Sequence, residues 1–542
     1  MIGLFKKKCI AGLSVLTILL LAPALSACGE EEAENPEIVD ISELNGEQDQ
    51  TSEASGEDEQ TVSSEETEPE ETQTEEVVEP TKEELYAAAI LELSDIGDTL
   101  GYSIQGTDGF NQVMDRQMPI VSLWVDYEEF RGENGIWYTA IDNRFEKKER
   151  IAAYSQFFSS TGELICASFN ELCMHGTGSL ANQNKGMRLY FDETYGTEYT
   201  VNNPKKLRYA LFGEDYTNVN GETIDTFKTL VLRAGGNDSN YCMMRDMVIH
   251  RICRDMACDT QAGQPAVLFI NGSIFCTYNI RERYDKHYLA SHYDVDKNDV
   301  VILETPYPVT YKSDGTAVWV NDRDYEVDEG EEGDETAFND LVDYAKSHDL
   351  RNEEYYAYVQ ERVDFDSLID MCCAQLFFCN CDWPNNNIRV WQYTGVEDLS
   401  YVDRKWHFML CDLDLGMGNP DNPMSYVSNT MYKVYSSNTK LTYLMKALLK
   451  NDEFRQKFID RYQELINTTF SAENTTALWD EATADVEWAM VLNVSLRYVP
   501  SSYEKWETYV ANARAFLEKR PAYAQQSLDD FKTNYETYLW PE

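Results

Sequence analysis

The chain has 542 residues, and its 96 Asp and Glu outnumber its 45 Lys and Arg, so the formal net charge is −51 at pH 7. Because nucleic-acid binding depends on an excess of basic side chains, this composition excludes nucleic acid as a partner. The length predicts a large folded core built from more than one layer or lobe.

The first residues form a targeting segment. A basic stretch at residues 6–8 precedes an apolar run from Cys9 to Leu25, which is typical of a secretory signal. The segment ends in L-S-A-C at Cys28 and resembles a bacterial lipobox. We therefore expect a lipoprotein signal peptide over residues 1–27, a lipid on Cys28, and an exported protein anchored to the outer face of the cytoplasmic membrane. The alternatives are an ordinary signal peptide cut after Ala27 or an uncleaved anchor.

An acidic tether follows, over residues 28–81. Residues 30–79 hold 21 Asp and Glu, no Lys or Arg, and almost no aromatic side chains. Such a segment cannot bury enough apolar surface to offset the entropy of ordering, so we expect it to be disordered. The rest of the chain is predicted to fold as two parts, residues 82–285 and 286–542. It stays acidic, which allows a basic partner or substrate tail.

The pattern after Met118 predicts strands. PIVSLWV is followed by a turn and by IWYTA over residues 136–140, which also has strand composition. Further on, G-T-G-S-L-A over residues 176–181 precedes Lys185 and a strand from Met187. A glycine-rich turn lets backbone N–H groups approach phosphate, and Lys185 could supply a counter-charge. The alternative is a simple glycine-rich hairpin loop.

Strand, helix and hairpin follow in that order. TLVLR predicts a strand ending at Arg233, a helix is expected from about Asn240 to Met256 with Asp238 near its N-cap, and Asn271-Gly272 marks a hairpin turn. This is the order of elements in the small lobe of a protein kinase. Glu282 would then lie near the lobe junction and Arg233 near the nucleotide, unless both belong to a structural ion pair.

Two further strands are predicted over Ile388–Tyr393 and Trp406–Cys411. Oxygen-bearing side chains flank one end of each strand: Asp382 and Asn387 before the first, Asp412 and Asp414 after the second. If the strands pair as a hairpin, these groups meet at one end. Hard oxygen ligands of this kind suit Mg²⁺ or Mn²⁺ that is also held by substrate phosphates.

The spacing of these residues resembles that of protein kinases, in which an Asp, an Asn five residues later and a second Asp after a strand carry the catalysis. Here Asp382 precedes Asn387 by five residues and Asp412 follows a strand. One alternative is a turn with Asx caps. Another is a haloacid-dehalogenase-like phosphatase, because D-L-D after a strand resembles its motif, although Gly416 and the helical sequence downstream argue against it.

Several segments together resemble the CotH family of atypical, spore-coat-type protein kinases. They are FKTLVLRAGGNDSNYCMMRD, AVLFING with YNIRERYDKHYL, CDWPNNNIRVW, and KWHFMLCDLDLGMG. The match runs from about Met118 to Phe531. It departs at Leu180, where the family often has Arg, and at Phe275-Cys276, where it often has W-G.

The resemblance implies an α+β, two-lobed protein-kinase-like fold with a β-rich N-terminal lobe and a helical C-terminal lobe. It also implies ATP-dependent phosphorylation of Ser or Thr on proteins, with Asp382 as the catalytic Asp and Asp412 as a metal ligand. We expect Asn387 as a second ligand to Mg²⁺ or Mn²⁺ and Asp414 as a ligand or a group that supports one. The alternative function is a catalytically silent, kinase-like binding or assembly module.

Overall fold

The computed structural model describes residues 103–145, 148–191, 201–202, 205–311, 317–436 and 438–540. The predicted signal segment, Cys28 and the acidic tether lie outside the described residues. The predicted mixed α+β class is confirmed.

Seven strands close into a barrel in the order β1-β2-β3-β4-β7-β9-β8. The strands through β9 are β1 Ile120–Val125, β2 Arg150–Phe158, β3 Leu164–His175, β4 Gly186–Phe191, β5 Leu207–Arg208, β6 Thr226–Phe227, β7 Thr229–Arg233, β8 Gly263–Ile270 and β9 Ser273–Glu282. β1 pairs with β2 antiparallel and with β8 parallel, and the latter pairing closes the barrel. Buried and half-buried residues alternate along strand β4. Met187, Leu189 and Phe191 are buried, and the residues between them are half-buried.

The expectation of a strand over residues 136–140 is wrong. Three short helices accompany the first part of the barrel: α1 Asp108–Met114, α2 Tyr127–Arg131 and α3 Ile136–Thr139. Because β1 already has a neighbour on each side, no free edge remains beside it for this segment. Instead Ile136 and Trp137 are buried, and the Trp137 ring packs edge-on against Phe275 at 5.5 Å.

Helix α4, Arg245–Ile252, is shorter than predicted. It begins at Arg245 because the chain before it follows a looped path, with positive φ angles at Gly235, Gly236 and Met243. Asp238 still supplies hydrogen-bond acceptors at the start of the helix. Its carboxylate accepts hydrogen bonds from the backbone N–H groups of residues 244 and 245. The predicted hairpin turn at Asn271-Gly272 is confirmed between β8 and β9, with φ of 47° and 80°.

The chain after the barrel forms a four-stranded antiparallel sheet in the order β13-β10-β14-β15 and a set of helices. The remaining strands are β10 Val300–Glu304, β11 Val309–Tyr311, β12 Ala317–Trp319, β13 Glu326–Glu329, β14 Arg389–Tyr393 and β15 His407–Met409. The remaining helices are α5 Lys286–Tyr293, α6 Glu335–Ser347, α7 Glu353–Gln360, α8 Phe365–Phe377, α9 Lys440–Leu449, α10 Asp452–Asn467, α11 Ala472–Arg497 and α12 Tyr503–Leu539. The predicted pairing of β14 with β15 is confirmed, with Val390 opposite Phe408.

A continuous apolar core joins α8 to the C-terminal helices and also includes the buried side of α4. Helix α4 thus packs on both the barrel and the helical part. This packing fixes the position of the helix between the site residues that each part contributes. Among the described helices, none is both long and apolar enough to cross a membrane. The predicted division between residues 285 and 286 stays a prediction.

Candidate functional site

The loop between α8 and β14 holds Asp382 by hydrogen bonds from its own loop. The Nδ2 groups of Asn387 and Asn386 donate to Asp382 Oδ2 at 2.9 Å and 3.3 Å. The backbone N–H of Asp382 donates to Asn380 Oδ1 at 3.2 Å. Burial raises the pKa of the Asp382 carboxyl, and the negative charge of Asp412 raises it further. The carboxylate is therefore oriented and made more basic than a solvated aspartate.

Asn380 connects this loop to the segment after β15, a link between distant parts of the chain that the sequence does not reveal. It is fully buried, and its Nδ2 donates to the carbonyl of Asp412 at 3.0 Å and to Gln375 Oε1 at 2.9 Å. One side chain thus fixes the backbone at both Asp382 and Asp412. The only sequence signal is its position two residues before Asp382.

Lys433 lies beneath the same loop and was also missed. Its ammonium donates to the carbonyl of Cys381 at 3.3 Å and to that of Trp383, the two residues that flank Asp382. The side chain is 5% exposed and, within the described residues, has no carboxylate at ion-pair distance. Burial lowers the pKa of Lys433 to about 8, and Asp382 is one of the charges that oppose this shift. Some fifty residues separate Lys433 from the loop, so no local pattern links them.

After β15 the chain turns sharply and presents two aspartates to Arg233. Asp412 has a positive φ of 46°. The Nη2 of Arg233, at the end of β7, contacts Asp412 Oδ1 and donates to Asp414 Oδ2 at 2.8 Å. The Asp412 side chain stays 35% exposed, whereas that of Asp414 is 3% exposed. Asp412 is therefore the aspartate open to a ligand.

Asp414 is enclosed by the loop after β7. The backbone N–H and the Nδ2 of Asn237 donate to its two oxygens at 2.9 Å and 3.0 Å. Gly236 has a φ of +59°, and a Cβ there would lie 2.0 Å from Asp414 Oδ2. Burial raises the pKa of Asp414 well above its usual range, and the charge of Asp412 adds to the effect. Asp414 therefore anchors the glycine loop against the segment after β15.

Asp246 on α4 completes this group and was not predicted. Its carboxylate accepts hydrogen bonds from Arg281 Nη1 at 2.6 Å and from the backbone N–H of Leu413 at 2.8 Å. Arg233 Nε lies 3.5 Å from the same carboxylate. Burial opposes the charged form, but Arg233 and Arg281 hold the pKa of Asp246 below its ordinary value. Asp246 thereby links helix α4 to Arg281 of the barrel strand β9 and to Leu413, which lies between Asp412 and Asp414.

Comparison with protein families identifies the chain. The model described as CotH kinase protein matches residues 174–524. The chain belongs to the CotH kinase family. The match includes every candidate residue from Lys185 to Asp414, while β1, β2 and nearly all of β3 precede it. No curated protein matches the sequence.

Two of the predicted small-lobe residues, Lys185 and Glu282, make their contacts away from the aspartates of the site. The ammonium of Lys185 donates to the carbonyl of Leu180 within the glycine-rich loop, and the side chain is buried. Glu282 accepts hydrogen bonds from Tyr216 Oη at 2.7 Å and from the backbone N–H of Ala262 at 2.9 Å, and it contacts His292 at 3.0 Å. Neither side chain contacts the aspartates. The proposed nucleotide roles of Lys185 and Glu282 stay predictions, whereas Arg233 is an ion-pair partner of the aspartates.

The donor set fits a hard divalent cation at two of the predicted ligands. Asp412 is open to solvent. The Nδ2 of Asn387 donates to Asp382, and its amide oxygen accepts no hydrogen bond from the described residues. Both oxygens of Asp414 are hydrogen-bonded, which suits a supporting role. The described residues include no group of three or more His, Cys, Asp or Glu placed to hold a metal. Further oxygens would therefore come from phosphate and water.

Proposed function

We propose that this CotH family protein is an ATP-dependent kinase that phosphorylates Ser or Thr residues of exported or surface proteins. The observation that carries the proposal is the pairing of Asp382 with Asn387 on one loop, tied through Asn380 to Asp412 after the neighbouring strand. This pairing supports an arrangement in which a proton acceptor lies beside two metal ligands, as in phosphoryl transfer by protein kinases.

A two-lobed, kinase-like layout is part of the proposal, with the barrel as the small lobe. Kinases need an ion pair between a strand cation and a helix carboxylate above the metal site. The pair of Arg233 on β7 and Asp246 on α4, at 3.5 Å, has this character. The contact of Arg233 with Asp412 supports the assignment of this pair to the kinase-like site.

In the proposed reaction Asp382 accepts the proton of the acceptor hydroxyl, since its carboxylate is oriented and its pKa is raised. Arg233 and Asn380 hold Asp412 in place, and Lys433 holds the backbone on both sides of Asp382. Mg²⁺ or Mn²⁺, when bound by Asp412 and Asn387, would neutralise charge on the ATP phosphates. The contribution of the protein is then mainly positioning and charge stabilisation.

A basic acceptor segment and an extracytoplasmic location belong to the same proposal. A cavity of about 650 Å³ between the β13 region and α6 is lined by carboxylates. They are Asp324, Glu326, Glu332, Glu335, Asp340 and Asp343. This lining and the net charge of −51 support a Lys- or Arg-bearing protein substrate. The L-S-A-C sequence supports attachment by a lipid on Cys28 to the outer face of the membrane.

Two substitutions test the reaction. Asp412→Ala removes a metal ligand, so metal-dependent ATP binding and phosphate transfer should both be lost. Asp382→Asn keeps the shape and removes the proton acceptor, so ATP binding should persist while transfer falls roughly 10²–10⁴-fold. The measurements are transfer from labelled ATP with Mn²⁺ or Mg²⁺, nucleotide affinity, and melting curves.

Asp255→Asn is the matched control, because its side chain is 92% exposed and outside the site. A wild-type transfer rate in Asp382→Asn would contradict the assignment of the proton acceptor. If neither site variant differs from the control and wild type transfers no phosphate, the protein is instead a silent binding module. If Asp412 alone is essential for releasing phosphate from small esters, the phosphatase alternative holds.

A further inference from the structure

Arg188 lies on the same barrel face as Arg233. In β4, Met187 and Leu189 point into the barrel core, so Arg188 between them points outward. The register sets Arg188 opposite Val231 of β7, and Arg233 is two residues further along that strand. The two arginines therefore project from neighbouring strands on one face, and Arg233 contacts Asp412 and Asp414.

The guanidinium of Arg188 makes no ion pair with a described residue, and its charge acts on Asp328 only from a longer distance, lowering the pKa of that carboxyl. Its Nη1 donates to Tyr190 Oη at 2.9 Å and its Nη2 bonds to His175 Nδ1 at 2.9 Å. Its Nε is buried and has no hydrogen-bond partner. Among the described residues no carboxylate lies within ion-pair distance of Arg188, in a chain where acidic groups outnumber basic ones by two to one.

The groups around Arg188 are a histidine and two further arginines, Arg283 and Arg389. Burial lowers the pKa of His175 well below its usual range and Arg188 lowers it further, so the ring is a neutral acceptor. The guanidinium of Arg283 lies 5.8 Å from the Tyr190 ring centre. It is 3.5 Å from Asp285, the one carboxylate within ion-pair distance of it among the described residues. Arg389 also lowers the pKa of His175. Its guanidinium pairs with Asp328 at 2.7 Å, so this carboxylate is already the ion-pair partner of another arginine.

An unpaired, half-buried guanidinium among other cations is costly unless an anion joins it. A guanidinium fork matches the oxygens of phosphate, and the adjacent Arg233–Asp412 pair marks the end where metal and phosphates would meet. We propose that Arg188 binds the phosphate chain of the donor nucleotide, in the role first considered for Lys185. This inference rests on the proposed kinase function and assigns the residue that holds its donor.

Titration calorimetry with ATP, inorganic tripolyphosphate and adenosine, each with Mg²⁺, tests the inference on the purified protein. Arg188→Gln should weaken ATP and tripolyphosphate roughly 10- to 100-fold, the range for losing charge-assisted hydrogen bonds. Adenosine affinity should not change. Arg188→Lys keeps the charge but not the fork, so its affinity for tripolyphosphate should be intermediate. Arg351→Gln is the control, since that side chain is 59% exposed and pairs with Asp349.

The outcomes separate the two proposals. If wild type binds ATP and both Arg188 variants bind it equally well, the inference is wrong and the kinase function stands. An equal loss of adenosine affinity would also overturn the inference, because Arg188 would then act on the whole pocket. If wild type binds neither ATP nor tripolyphosphate, both proposals are wrong. Melting curves identify a misfolded Arg188→Gln protein, in which case the Arg188→Lys result decides.

Discussion

At the scale of single residues, the site depends on groups whose charges are set by burial. Arg233 reaches Asp246, Asp412 and Asp414, so one cation holds together carboxylates from α4 and from the segment after β15. Burial and the nearby charge of Asp412 raise the pKa of Asp414, and Arg233 offsets the repulsion between the two carboxylates. The result is that Asp412 keeps a fixed direction and an exposed side.

Lys433 gives a prediction at this scale. Lys433→Met removes the cation that joins the carbonyls of Cys381 and Trp383, so Asp382 loses its position. We expect kcat to fall on the order of 10²-fold, the effect of a small misplacement, with nucleotide affinity nearly unchanged. Lys433→Arg should restore part of the rate.

The dependence of the reaction rate on pH distinguishes a role of Lys433 in positioning Asp382 from a role in stability alone. Because burial lowers the pKa of Lys433 to about 8, the wild-type rate should decline as the ammonium is lost above pH 8. This decline should be absent from the remaining activity of Lys433→Met. A Met variant with the wild-type rate and profile would show that Lys433 plays no part in the reaction.

At the scale of elements, β15 is fastened to the start of α8 by a charged histidine. His407 Nε2 contacts Asp403 at 2.9 Å, and its Nδ1 lies 3.4 Å from Asp364, whose side chain caps α8. The His407 ring also stacks on Trp391 of β14, with centres 4.7 Å apart. Burial opposes the charged ring, but the hydrogen bonds that the ring donates to Asp364 and Asp403 raise the pKa of His407 to about 9.

This shift predicts a pH-dependent contribution to stability. A histidine whose pKa is raised in the folded state stabilises the fold fully below its unfolded value of about 6.5. The contribution falls as pH rises through about 9. His407→Gln should therefore lower the free energy of unfolding by up to about 3 kcal/mol at pH 6 and by much less at pH 10.

Denaturant unfolding of wild type and His407→Gln at the two pH values measures this difference. His348→Gln is the matched control, since within the described residues His348 has no carboxylate at ion-pair distance. A loss of equal size at both pH values would show that packing on Trp391, not charge, is what His407 contributes.

At the scale of the whole molecule, the chain combines a folded CotH family domain with an N-terminal region of different composition. All described residues belong to the unit Val78–Glu542. The 21 acidic residues over 30–79 predict a spacer that extends by repulsion between like charges. Together with a lipid on Cys28, such a spacer would hold the kinase-like domain near the membrane and away from its anionic surface.

The anchor is tested by Cys28→Ala. Because acyl chains supply the membrane affinity, the variant should move from the membrane fraction to the medium or remain unprocessed. Cys9→Ala, in the segment that is expected to be removed, should leave the distribution unchanged. Mass spectrometry of the mature N-terminus identifies the lipid, and an unmodified Cys28 in membrane-bound wild type would contradict the prediction.

The amino-acid sequence alone determined the features that depend on neighbours along the chain. Strand β7, the Asn271-Gly272 turn and the pairing of β14 with β15 follow from period, turn chemistry and length. The sequence also placed Asp382 and Asn387 before the same strand, at one end of the predicted hairpin, where the structure has them in contact. The strand expected over residues 136–140 failed because composition does not reveal that both edges of β1 are occupied.

Only the tertiary structure decided which distant groups meet. Arg233 and Asp412 are 179 residues apart, and Lys433 is about fifty residues from the loop it supports. Closure of the barrel through the parallel pairing of β1 with β8 brings strands together across the whole N-terminal part. Such contacts arise when buried polar and charged groups must find partners as the core forms, and that requirement acts through space, so no local pattern records it.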